Sequence, residues 1–62
     1  MPVVTIAGNN GINEEEIREM VADVTKVVAK AYNLPESAIT ILVQEYPKDH
    51  IGVGGNLLSD NE

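Results

Sequence analysis

Six apolar side chains recur at three- and four-residue intervals, at Ile17, Met20, Val21, Val24, Val28 and Ala31, and Arg18, Glu19, Asp23, Lys26 and Lys30 lie mainly off that stripe. This is the period of an amphipathic α-helix and not of a strand. β-branched runs stand on either side of it, Val3-Val4-Thr5-Ile6 before and Ile39-Thr40-Ile41-Leu42-Val43 after, the composition of largely buried strands. Strand, helix and strand in that order predict a right-handed βαβ unit with parallel strands. One helix covers only one face of the sheet. The second face has no cover within the chain, so another subunit is needed to bury it.

The first strand is expected over Pro2 to Ala7, because Gly8-Asn9-Asn10-Gly11 is a turn-forming run. Asn13 with Glu16 three residues later has the form of a capping box, and Glu14, Glu15 and Glu16 put negative charge at the positive end of a helix dipole. The helix therefore starts there. It ends near Tyr32, since Asn33 tolerates the left-handed conformation that closes a helix and Pro35 cannot continue one. The second strand runs from Ile39 to Tyr46. Beyond Pro47, the segment KDHIGVGGNLLSD carries glycines at 52, 54 and 55 around Val53, which suit a small hairpin or a bulged turn, followed by the apolar pair Leu57 and Leu58. The fold class is α/β, in a single domain over residues 1–62 without internal repeat or linker.

A domain of 62 residues buries a small fraction of its unfolded surface and needs added support. The chain has no cysteine, so disulfides, thiolate zinc sites and cysteine nucleophiles are excluded and a reducing compartment is the expected address. Oligomerisation is the remaining support, and 44% hydrophobic residues supply surface for it. Ten acidic residues against four basic ones give a formal charge of −6, which argues against nucleic acid or an anionic membrane as partner. No apolar run reaches the length of a membrane span and no signal peptide opens the chain, so a cytoplasmic protein is expected.

Among the chemistry-bearing residues, the GVGG stretch lacks both the Rossmann and the Walker spacing, and no helix start with a lysine follows it. His50, beside Lys48 and Asp49, is the only histidine; it reads as a solvated or structural residue more readily than as an acid–base group or a metal ligand. Glu14 to Glu16 read as a helix-start cluster, and Arg18 has Glu14 at i−4 for a surface ion pair. Pro2 has two readings. It is either a proline that starts a strand, where no N–H is needed, or, with Met1 removed, a secondary amine fixed by the strand behind it. An α-amino group titrates near pH 8, and modest desolvation brings it towards neutrality, where a general base works best.

The chain resembles the 4-oxalocrotonate tautomerase family, the short members of the tautomerase superfamily. The likeness runs through MPVVTI, GINEEEIREMVADVT and SAITILVQEYPKDHIGVGGNL, and includes the pattern H-x-G-x-G-G-x-L from His50 to Leu57. It implies a β-α-β protomer that pairs into a four-stranded sheet carrying two helices, three such dimers forming a hexamer. It also implies a cofactor-free keto–enol tautomerase in which Met1 is removed and Pro2 shuttles a proton between enol oxygen and carbon.

The resemblance further implies that members acting on dicarboxylates use two arginines and an aromatic residue where this chain has Ile12, Thr40 and Ile51. Arg18, the only arginine, belongs to the helix, so clamping of a substrate carboxylate has no obvious donor. A smaller or monoanionic enol is expected instead, oriented by backbone N–H groups from Ala7 to Asn10, the amides of Asn9 or Asn10, or Lys48, in an apolar pocket lined by Ile12, Ile51 and Val53. Related dehalogenases use an acidic residue where this chain has Val53, which counts against hydration chemistry. A second expectation is a non-catalytic or partner-dependent subunit of a hetero-oligomer, in which a paralogous chain supplies the missing arginines.

Overall fold

The computed structural model describes residues 1–61. Strand β1 (Val3–Asn9) leads into helix α1 (Glu14–Tyr32), which returns the chain to β2 (Thr40–Tyr46), and a short hairpin of β3 (Gly52–Val53) and β4 (Asn56–Leu57) follows. Single turns of 3-10 helix lie at Glu36–Ala38, Lys48–His50 and Leu58–Asn61. β1 and β2 pair in parallel from Val3 opposite Thr40 to Asn9 opposite Tyr46, with α1 as the crossover between them. The expected β-α-β order with parallel strands and a small C-terminal hairpin is the architecture found. β1 runs two residues beyond the expected Ala7, because Gly8 and Asn9 stay in register with Glu45 and Tyr46. β2 in turn starts one residue later than expected, since Ile39 closes the preceding 3-10 turn through its amide, which donates to the Glu36 carbonyl at 3.0 Å.

Helix α1 has complete caps at both ends. The Asn13 side-chain oxygen accepts from the Glu16 amide at 2.8 Å, and the Asn13 amide donates back to the Glu16 carboxylate at 3.2 Å. This reciprocal pair satisfies two donors that a helix start otherwise leaves orphaned. At the other end Asn33 sits in the left-handed region at φ 56°, ψ 47°. Its amide donates to the Lys30 carbonyl at 3.2 Å and that of Leu34 to the Ala29 carbonyl at 3.0 Å, the paired bonds of a Schellman ending. Along the exposed face, Arg18 pairs with Glu14 at 2.9 Å, as its spacing predicts, and also with Glu15. Pairs this exposed contribute little to stability.

Val4 and Ile6 of β1 and Ile41 and Val43 of β2 are half-buried, whereas Val3 and Leu42, which point the other way, are exposed. One sheet face is thus packed and the other open. Ala29 is the only fully buried apolar residue among those described. The radius of gyration is 14.7 Å, against about 11 Å for a compact domain of this length. The accessible surface of 4703 Å² likewise exceeds the roughly 3900 Å² of a compact monomer of this mass. The chain is an open two-layer protomer.

Candidate functional site

Parallel pairing gives the sheet two unlike ends. At the starting end, Pro2 is half-buried, and its carbonyl accepts from the Thr40 amide at 3.1 Å. Because proline lacks an N–H, its carbonyl is the group through which Pro2 joins the sheet, and its nitrogen bears no ladder bond. Met1 ahead of it is 92% exposed. Thr40 lies opposite Val3, so of the candidate residues Pro2 and Thr40 are brought together here.

At the finishing end, the hairpin folds back beside the strand tips. Gly54 and Gly55 both have positive φ, 63° and 86°, as a two-residue type I′ turn requires. Their turn sets Val53 opposite Asn56 and Gly52 opposite Leu57, and the Leu58 amide extends the pairing by donating to the Ile51 carbonyl at 2.9 Å. Between this hairpin and the strand tips lies a cleft of about 390 Å³ lined by Ala7, Gly8, Asn9, Tyr46, Ile51, Val53 and Leu58. Four of the candidates, Ala7, Asn9, Ile51 and Val53, meet there. The Tyr46 hydroxyl donates to Gln44 Oε1 at 3.3 Å.

The remaining candidates lie elsewhere. Ile12 lines a second cavity of about 70 Å³ with Ile6, Met20 and Val43, between helix and sheet, which adjoins the cleft through Gly8 and Asn9. The Asn10 amide donates to the Tyr46 carbonyl at 3.0 Å, which continues the ladder past Asn9. Lys48, in the turn before Ile51, does not line the cleft and has an interaction of its own. His50 Nδ1 lies 2.8 Å from Asp49 Oδ1, both side chains well exposed. Among the described residues no group of three or more His, Asp or Glu side chains is placed to hold a metal ion.

Tyr46 and Leu58 were not among the sequence candidates. The signal for Leu58 was available: a two-residue turn at Gly54-Gly55 sets Ile51 opposite Leu58 by register alone. Tyr46 reads as the end of a strand, and only the hairpin folding back makes it a cleft wall.

Pro2 and the cleft stand at opposite ends of the same strand, which at ~3.3 Å per residue places Pro2 about 17 Å from Ala7 and about 23 Å from Asn9. One chain does not hold both halves of the candidate site in contact.

A family model described as tautomerase enzyme matches residues 2–61. The chain belongs to the tautomerase family. A 2-hydroxymuconate tautomerase of Bacillus subtilis is 37% identical over 62 residues, all of both chains. Among solved structures, the 4-oxalocrotonate tautomerase homologue YwhB superimposes with a TM-score of 0.92 at 36% identity, covering 98% of this chain and 100% of its own. The 4-oxalocrotonate tautomerase of Chloroflexus aurantiacus, a heterohexamer, shares the fold with a TM-score of 0.91 at 24% identity over the full length of both chains. Both solved structures share this chain's fold over nearly its whole length.

Proposed function

We propose that this tautomerase family member interconverts enol and keto forms of a small enol or dienol acid without a cofactor, with Pro2 as general acid–base once Met1 is removed. The observation that carries the reading is the way Pro2 is held. Its carbonyl is tied to the Thr40 amide while Met1 projects into solvent, so loss of Met1 removes no contact of the core and leaves a positioned secondary amine. The amine takes the enol hydroxyl proton as the carbonyl forms, and returns a proton to the carbon end of the enol or dienol. No electrons are exchanged with a second reactant.

Copies of the chain complete the site in this reading, as a hexamer built from dimers, with the Pro2 of one copy meeting the hairpin cleft of another. The open sheet face and the separation of Pro2 from the cleft support it. The test is ketonisation of a 2-hydroxydienoate by protein whose mass shows Met1 absent, with Pro2→Ala as control. General acid–base groups contribute about 10²- to 10⁴-fold, and a loss of that order in Pro2→Ala with the assembly intact is expected. Unchanged activity overturns the mechanism.

A second reading, a subunit that depends on a paralogous partner, is favoured by the lack of a charged side chain in the cleft. Activity that appears only on mixing with an arginine-bearing relative, together with a mixed assembly, would select it.

A further inference from the structure

Where β1 runs out, the sequence reads Asn9-Asn10-Gly11, and Asn10 is the one asparagine of the chain that is followed by glycine. We infer that Asn10-Gly11 is a self-modifying site, at which the Asn10 side chain closes on the Gly11 nitrogen and is converted to aspartyl and isoaspartyl forms.

The end of the ladder leaves this dipeptide open. The Asn10 amide donates to the Tyr46 carbonyl at 3.0 Å as the last bond of the β1–β2 pairing, and Gly11 follows beyond it. Asn10 and Gly11 are both exposed. Among the described residues, neither the Asn10 side chain nor the Gly11 N–H has a hydrogen-bond partner. Gly11 has no side chain to screen its nitrogen, and the space that a β-carbon would take there is empty.

Four other asparagines each lack one of these conditions. Asn9 is paired within β1 and is followed by a residue with a side chain. The Asn13 side-chain oxygen is held by the Glu16 amide. Asn33 is followed by Leu34, whose amide is tied to the Ala29 carbonyl. Asn56 precedes the branched side chain of Leu57 inside the hairpin.

In the reaction the Gly11 nitrogen gives up its proton and bonds to Asn10 Cγ, the Nδ2 group leaves as ammonia, and a cyclic imide remains. This is a chemistry that makes asparagine a thermolabile residue. Water then opens the imide. Breaking the bond from nitrogen to Cγ gives aspartate on the original main chain, whereas breaking the bond from nitrogen to the main-chain carbonyl carbon gives an isoaspartyl link that runs through Cγ. Water is the only co-reactant. Each conversion adds a negative charge, and the isoaspartyl form also adds a methylene to the main chain, between Asn9 of the cleft wall and the Asn13 cap of α1.

The test ages the folded protein, in its own assembly, in warm and mildly alkaline buffer and maps its peptides by mass, with aspartyl and isoaspartyl forms separated by chromatography. Asn10→Gln, whose longer side chain closes a larger and less favoured ring, is aged beside it. The expected result is an acid form of the Asn10 peptide that outweighs those of all the other asparagines together, with isoaspartate in excess over aspartate, and far less conversion in Asn10→Gln. Deamidation led by another asparagine, or at Asn10 only after the protein is unfolded in denaturant, overturns the inference. So does an aspartate product alone, or equal conversion in Asn10→Gln, since direct hydrolysis of a side-chain amide needs no ring.

Discussion

The amide of Thr40 donates to the carbonyl of Pro2 at 3.1 Å, just ahead of the first paired residues of the sheet, Val3 and Thr40. The contact uses the only hydrogen-bonding group proline retains in the chain and leaves its nitrogen outside the ladder. While Met1 is attached that nitrogen is an amide and has no basicity. Protein separated by mass into forms with and without Met1 is therefore expected to show the same circular dichroism, with proton-transfer activity in the Met1-free form alone.

Asn33 holds the left-handed conformation that ends α1, and a β-carbon there costs energy that glycine avoids. Asn33→Gly is expected to leave stability unchanged or raise it by a few tenths of a kcal/mol. Asn33→Val is expected to lower it by about 1–2 kcal/mol, the cost of a left-handed residue whose side chain makes no local hydrogen bond. Denaturant midpoints at constant slope measure both.

The hairpin turn needs positive φ at Gly54 and Gly55, although open space surrounds both positions. Gly55→Val is thus strained by backbone alone, at about 1–2 kcal/mol. The strain falls on a hairpin that carries Val53 and Leu58 to the cleft and is not part of the helix or of the β1–β2 sheet. Activity is expected to fall further than the thermal midpoint, and a midpoint that collapses with the activity would place the hairpin inside the cooperative core.

With Ala29 alone fully buried among the described residues, the protomer has little interior of its own. Stability gained by association rises with concentration. The thermal midpoint is expected to climb across a hundredfold increase in protein concentration, whereas a flat midpoint would show a protomer that stands by itself.

The helix was legible in the sequence through its Asn13–Glu16 box, its Asn33 ending and most of its stripe, which are local signals, although Ala29, outside the expected stripe, is the buried residue and Ala31, within it, is exposed. The parallel pairing followed from the strand, helix and strand order. The end of β1 was not legible, since Gly8 and Asn9 look like a turn until β2 supplies partners for them. Ile51 and Val53 could be grouped from their hairpin, but Ile12, expected in the same pocket, lines a different cavity of the protomer, because which side of β1 the loop before α1 packs on is a tertiary matter. Pro2 was recognisable as a chemical possibility from its position, while its distance from Ile51 and Val53 depends on strand direction and appears only when the sheet is built.

That distance has a genetic consequence. If each working site draws Pro2 from one chain and the cleft from another, an allele altered at Pro2 and an allele altered at Ile51 are defective in different halves. Each is silent alone, yet their mixed product contains sites built from the two sound halves. Co-expression of the two defective alleles should restore part of the activity that neither shows separately, in proportion to how the chains shuffle.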